Sequence, residues 1–238
     1  MKNFLKRLFN TFGFEVHRLQ PNLDYGSQII AAMRKVDIDV LIDIGANIGQ
    51  FSSEIRRKGY DGKIISFEPL TSAREKLMHQ ASMDDNWIVH DRVALGDQNG
   101  TININISKNS FSSSILPMLE THINADSNSN YIGVEKTPIV KLDTISNYYL
   151  KESSNCFLKI DTQGYESQVL DGASKTLANV KGVLCELSLV KLYEGQELWQ
   201  DIIKRLEKQG FTLWSLQRGF VDTKNGRTLQ MDGIFLKI

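Results

Sequence analysis

The sequence predicts an α/β fold: a mostly parallel sheet with helices on both faces. Three observations predict it. Apolar runs that end in an acid and lead through a glycine turn into a helical pattern occur at Val40–Gly45 and again at Cys156–Gly164. Runs of that length and branching are buried parallel strands. The chain then closes on two runs joined by a hairpin-like excursion over 219–227, which makes them antiparallel. Finally, 41% of the 238 residues are hydrophobic, ample for a single core.

Lys and Arg total 28, and so do Asp and Glu, a balance that argues against a nucleic-acid partner. No apolar stretch approaches the ~20 residues that span a bilayer. Cys156 and Cys185 fall inside predicted core strands, where a buried thiol is the simplest reading. With no disulfide framework, the expected compartment is a reducing cytoplasm.

Residues 1–36 read as an N-terminal helical extension and 37–238 as one domain. Phe4, Leu5, Leu8, Phe9 and Phe12 recur at helical spacing opposite Lys2, Lys6 and Arg7. Lys6, Arg7 and Asn10 interrupt any signal-peptide core. Such a helix either lies on a membrane surface or packs on its own domain or a second subunit. Peripheral membrane contact and a homodimer are therefore the two partner readings it raises. Residues 14–19 look like a short extended lead-in, and a helix over 24–35 follows.

The first strand, 39–44, carries the organising motif. Gly45 permits a tight turn and close backbone approach, and Gly49 opens a helix that contains Phe51. A dinucleotide cradle needs Gly-x-Gly-x-x-Gly, but here position 47 is Asn. Asp43 puts a carboxylate at the turn, a poor neighbour for phosphate and a good one for an ammonium or sulfonium group. S-adenosylmethionine, cationic and free of phosphate, suits that pattern better than a nicotinamide nucleotide. The second strand, 63–67, ends in Glu68 and Pro69, with the acid 19 residues after Gly49. A strand-two carboxylate in that place meets the ribose hydroxyls of a nucleoside.

Trp87–Leu95 reads as the third strand, with Val93 and Ala94 walling an adenine. Alternation over 101–107 predicts a half-buried antiparallel strand. Residues 107–130 are rich in Ser and Asn, and with the following residues to about 136 they form the predicted loop or lid insertion. His122 lies in it, either a solvated loop residue or a site residue. A strand over 137–142 and a short helix follow. The fourth core strand ends at Asp161, beside the first, where ligands of doubly wound sheets sit. A helix to Ala178, a fifth strand containing Glu186, a helix over 196–209, a sixth strand over 211–216 and a last strand over 230–237 complete one predicted sheet.

Taken together, VLIDIGANIGQFS, IISFEP, VALGDQNG, the SFSSS loop, VKLDTI and above all LKIDTQGYESQVLDGA resemble the FkbM family of class I S-adenosylmethionine-dependent methyltransferases. The resemblance runs from about residue 39 to the end. It implies a Rossmann-like seven-stranded sheet with the last strand antiparallel and inserted beside the fifth. It also implies methyl transfer to a hydroxyl of a sugar, a glycan or another natural product. By that resemblance Asp43, Gly45, Asn47 and Gly49 hold the methionine moiety, Glu68 the ribose, and Val93 with Ala94 the adenine. Ala46, Phe51, Phe67 and Pro69 belong to the same cofactor stretches. Asp161 is assigned to the methionine ammonium or to the acceptor hydroxyl. Asp161, His122 and Glu186 are the candidates for the base that removes the hydroxyl proton. A divalent cation on Asp161 and Glu186 is chemically conceivable, yet Gln163 stands where the resemblance leads one to expect glutamate. A metal-free site is therefore preferred. The competing classes are a nicotinamide-dependent oxidoreductase, disfavoured by the missing central glycine and by the lack of a late Tyr-x-x-x-Lys pair, and a non-catalytic membrane- or partner-binding module.

Overall fold

The computed structural model describes residues 9, 11–13 and 24–238. Phe9 and Phe12 are exposed; the rest of the expected amphipathic helix, and the lead-in over 14–19, lie outside the described residues. Among the described residues no helix is long and apolar enough to cross a membrane.

The described fold opens with α1 (Tyr25–Lys35), capped by the Asp24 carboxylate, which accepts from the Ser27 N–H at 2.8 Å. Ile29, Ile30 and Met33 on this helix pack into the core against the sheet. The helix, the last part of the expected N-terminal extension, thus packs directly on the sheet.

In chain order the first strands are β1 (Val40–Ile44), β2 (Lys63–Phe67), β3 (Trp87–Val89), β4 (Ala94–Leu95), β5 (Gly100–Ser107) and β6 (Tyr131–Val140). They are followed by β7 (Cys156–Ile160), β8 (Val180–Ser188), β9 (Thr212–Arg218) and β10 (Gln230–Leu236). Seven of them form one sheet in the order β3-β2-β1-β7-β8-β10-β9. All neighbours from β3 to β8 are parallel, and β10 runs antiparallel between β8 and β9. This is the Rossmann-like arrangement the sequence predicts, with the last strand inserted beside the fifth of this sheet. Because Ile44 is in register with both Phe67 and Ile160, the residues just beyond them meet at one edge.

Alternation along β1 explains the two-faced core. Ile42 and Ile44 point to one side, where α6 (Glu166–Gly172) and α7 (Trp199–Lys208) bury Val169, Leu170, Ile202 and Leu206. Leu41 points to the other, covered by α1, α2 (Gln50–Arg57) and α3 (Thr71–Ala81) through Ile29, Met33, Ile55 and Leu77. Two short helices, α4 (Glu120–Ala125) and α5 (Leu142–Ile145), lie between β5 and β7.

Three sequence expectations differ from the structure. The third strand does not run through to Leu95. After Val89 the polar stretch His90-Asp91-Arg92 turns away, and Ala94–Leu95 pairs with Ile139–Val140 instead. There are accordingly two sheets, not one: β4, β6 and β5 form a three-stranded sheet in the order β4-β6-β5. Leu95, Ile104 and Ile139 seal it onto the β1–β7 face of the core. Nor is 107–136 a single long loop, because α4 and the first half of β6 occupy much of it. That half of β6 is solvent-facing and contains Gly133, Glu135 and Lys136, so its apolar alternation is too weak to announce a strand.

Candidate active site

One large cavity, about 420 Å³, lies over the carboxyl ends of the central strands. Such clefts over a parallel sheet are where α/β proteins bind ligands. Strand order divides its wall into two halves. Val93 and Ala94 beyond β3, Glu68 beyond β2, and Gly45 and Asn47 beyond β1 form one half; Asp161 and Gln163 beyond β7, Glu186 on β8 and Gln230 on β10 form the other.

The first half rests on close backbone contact. Gly45 has φ +74, and a Cβ there would stand 1.9 Å from the Asp161 carbonyl oxygen. No side chain fits at position 45, so the tips of β1 and β7 meet backbone to backbone there. The N–H groups of Gly45 and Ala46 both donate to the Phe67 carbonyl at 3.1 Å, which ties the same turn to β2. Glu68 is buried and accepts from the Asn47 N–H at 2.8 Å and the Leu70 N–H at 2.9 Å. Burial pushes its carboxyl up to about 7, against the pull of those two N–H groups. Asn47 adopts φ +48, and its buried Oδ1 has no hydrogen-bond partner. Phe67 and Pro69 also line this half.

Asp43, Ala46, Gly49 and Phe51 do not line the cavity. Asp43 is fully buried. Alternation along β1 turns its side chain toward α2, where it accepts from Ser52 Oγ at 2.7 Å and pairs with Lys159 Nζ at 3.2 Å. The expected anionic turn is therefore a neutralised pair beneath the turn. Lys159 also donates to the Gly45 carbonyl at 3.0 Å and lies 3.4 Å from Asp161. Burial works against its ammonium, but the Asp43 and Asp161 carboxylates outweigh burial and hold its pKa above the ordinary lysine value. Phe51 packs in the same core, with Lys159 Nζ 5.5 Å from its ring centre. Ala46 is buried there too, and Gly49 is a scaffold position, since a Cβ on it would meet Leu77 at 2.9 Å.

The second half is organised by Gln163. Its Nε2 donates to Asp161 Oδ1 at 2.9 Å and lies 3.2 Å from both carboxylate oxygens of Glu186. Its Oε1 accepts from the buried Tyr193 hydroxyl at 2.8 Å, which fixes the amide nitrogen toward the two acids. The turn is built locally: Glu166 accepts from the Thr162 and Gly164 N–H groups at 2.9 and 3.1 Å, holding Gln163 at φ +54. Asp161 keeps 40% of its side chain exposed, and Glu186 is half-buried. Burial, then the Asp161, Glu166 and Asp232 carboxylates, raise the Glu186 pKa well above the ordinary carboxylate range. Among the described residues no group of three or more His, Cys, Asp and Glu side chains is arranged to hold a metal ion. The sequence points to Asp161, Gln163 and Glu186 of this cluster, whereas nothing in it marks Lys159 or Tyr193.

His122 lines the same half, but from a helix and not from a loop. It is 2% exposed and lies 5.2 Å from the Tyr193 ring and 5.0 Å from Phe220. Burial lowers its imidazole to about 4, outweighing the nearby Asp126 carboxylate. Neutral near pH 7, it is a weak proton acceptor there. The serine-rich stretch 109–114 forms the rim, anchored where Ser114 Oγ donates to the Gln163 carbonyl at 2.6 Å.

Residues 43–213 match the methyltransferase FkbM domain. The chain belongs to the FkbM methyltransferase family. It is 24% identical over 198 residues to the 2-O-methyltransferase NoeI of Sinorhizobium fredii, covering 81% of this chain and 80% of that one. It is 25% identical over 186 residues to the hexuronic acid methyltransferase AglP of Haloferax volcanii, covering 74% and 70% of the two chains. Among solved structures, Aeropyrum pernix fibrillarin with bound S-adenosylmethionine is 10% identical, with a TM-score of 0.46 over 87% of this chain and 74% of that one.

Family membership makes this chain an S-adenosylmethionine-dependent methyltransferase and sets aside the oxidoreductase and non-catalytic alternatives. The residues of this FkbM domain fit that cofactor. The β1–β3 half offers an unpartnered Asn47 Oδ1 and a buried Glu68 carboxylate to a nucleoside, and no Lys or Arg stands in the described cavity wall to receive a phosphate.

Proposed function

We propose that this enzyme methylates a sugar hydroxyl. The observation that carries it is the pair of carboxylates, Asp161 and Glu186, held side by side by the Gln163 amide next to the nucleoside half. A hydroxyl is a poor nucleophile until it loses its proton, so a positioned acceptor for that proton is what oxygen methylation needs. Support for a sugar comes from the two relatives, one named for 2-O-methylation and one for a hexuronic acid.

In this reading Glu68 binds the ribose, Val93 and Ala94 flank the adenine, and the Gly45–Asn47 backbone carries the methionine portion. Bound S-adenosylmethionine supplies an electrophilic methyl group on a cationic sulfur. Asp161, already tethered by Lys159 and Gln163, faces that positive charge and orients the hydroxyl. Glu186, whose surroundings raise its proton affinity, takes the hydroxyl proton. The protein's remaining task is placement, with acceptor oxygen and methyl carbon held ~3–3.5 Å apart.

Incubation with methyl-labelled S-adenosylmethionine and a panel of aryl glycosides tests this reading. Label should appear in an alkali-stable methyl ether on the ring. Label on a carboxyl as an ester, or on nitrogen, would contradict it.

A second expectation concerns the ribose. Glu68→Gln should weaken S-adenosylmethionine binding about tenfold, because one charge-assisted hydrogen bond contributes ~1.5–3 kcal/mol. Calorimetry checks this, with the melting midpoint of the ligand-free variant measured alongside. Unchanged affinity would remove Glu68 from the cofactor site.

A further inference from the structure

Resting on the sugar-hydroxyl reading above, we propose that the acceptor half of the cavity selects an uncharged sugar and rejects a hexuronate. In acceptor charge this chain would then part from the hexuronic acid methyltransferase it resembles.

The charge around the acceptor half is one-sided. Asp126, Asp161 and Glu186 line it, and the described residues of the whole cavity wall include no Lys or Arg. The ammonium that reaches Asp161 belongs to Lys159, which is 7% exposed and already engaged by Asp43, Asp161 and the Gly45 carbonyl. Its donors are taken up below the cavity floor. His122 supplies no positive charge either, because its buried imidazole stays neutral. Asp126 is fixed in place, accepting from the Asn109 side chain at 3.1 Å and the Asn128 N–H at 2.9 Å. A sugar carboxylate entering here meets the Asp126 and Asp161 carboxylates and finds no basic side chain to replace its lost hydration.

The remaining surface suits a neutral ring. Phe111 and Phe220 offer apolar faces, while Ser112, Ser113 and Gln230 offer hydroxyl and amide groups. His122 brings a buried Nδ1 with no hydrogen-bond partner against Phe220. Apolar walls with a few polar groups are how compact ligand sites orient hydroxyl-bearing guests.

The test uses the full chain with labelled S-adenosylmethionine and matched p-nitrophenyl glycosides: glucoside, galactoside, mannoside and fucoside against glucuronide and galacturonide. For the favoured ring, kcat/KM for the neutral glycoside should exceed that of the uronide by at least ~100-fold. The methyl ester of the same uronide, which keeps the ring and loses the charge, should recover most of the difference. Asp126→Asn should narrow the neutral-to-uronide ratio by roughly tenfold. Should that variant fail to fold, the wild-type ratio and the ester comparison still decide. Uronides accepted as well as neutral sugars, or an ester as poor as the acid, would overturn the charge selection and leave sugar methylation standing. Transfer to no member of the panel would overturn the sugar reading, and this inference with it.

Discussion

Lys159→Met is expected to destabilise the protein by ~3–5 kcal/mol, the cost of leaving one member of a buried ion pair alone. Asp43 is fully buried, and besides the ammonium it accepts from the Ser52 hydroxyl. Methionine fills a similar volume, so little of the loss would come from a void. For a domain of this size the drop amounts to roughly 6–20 °C in melting midpoint. Thermal or denaturant unfolding of the ligand-free protein measures it. Lys159→Met combined with Asp43→Leu should regain much of the loss, because an apolar pair of similar bulk removes the stranded charge. A loss below ~1 kcal/mol in the single variant would mean that Asp43 is not held as a buried anion.

The second large effect is on turnover. Glu186→Gln should lower kcat by ~10²–10⁴, the usual contribution of a positioned proton acceptor. The glutamine keeps the shape but cannot take the hydroxyl proton. The pH dependence has a definite sign. A base works only when deprotonated, so wild-type activity should fall as pH drops through the Glu186 pKa, which burial and the Asp161, Glu166 and Asp232 carboxylates place well above that of an ordinary glutamate. Below that pH the acid form predominates and turnover is lost; above it the rate levels off. The variant should lack that limb. Full turnover in Glu186→Gln, or an unaltered acid limb, would move the proton to Asp161.

Much of this architecture can be read along the chain. Val40–Ile44 with its glycine turn, the acid closing 63–68 and the acid closing 156–161 are local patterns, and the structure sets them side by side at one sheet edge. The family follows from the same stretches. Less local features escape such a reading. Asp43 and Lys159 meet only because β1 and β7 pair in register, although they lie far apart in sequence; no periodicity reveals that one neutralises the other. The second sheet escapes for a related reason, since Ala94–Leu95 finds its partner only after β6 returns. The serine-rich neighbours of His122 suggest a loop, whereas Tyr193 and Phe220, distant in sequence, pack against it. Gln163 drew notice as a missing acid, and its amide turns out to clasp the two acids beside it.

The contact between Gly45 and the Asp161 carbonyl has a consequence for how such an enzyme changes its diet. With two strand tips locked main chain to main chain, position 45 has no room for any side chain and cannot vary. Variation in what is methylated is left to the outer wall, the segment 109–114 and Phe220, which face the same chamber from separate parts of the chain. Directed evolution toward new acceptors should therefore find its gains in that outer wall, while the bed beneath stays as it is.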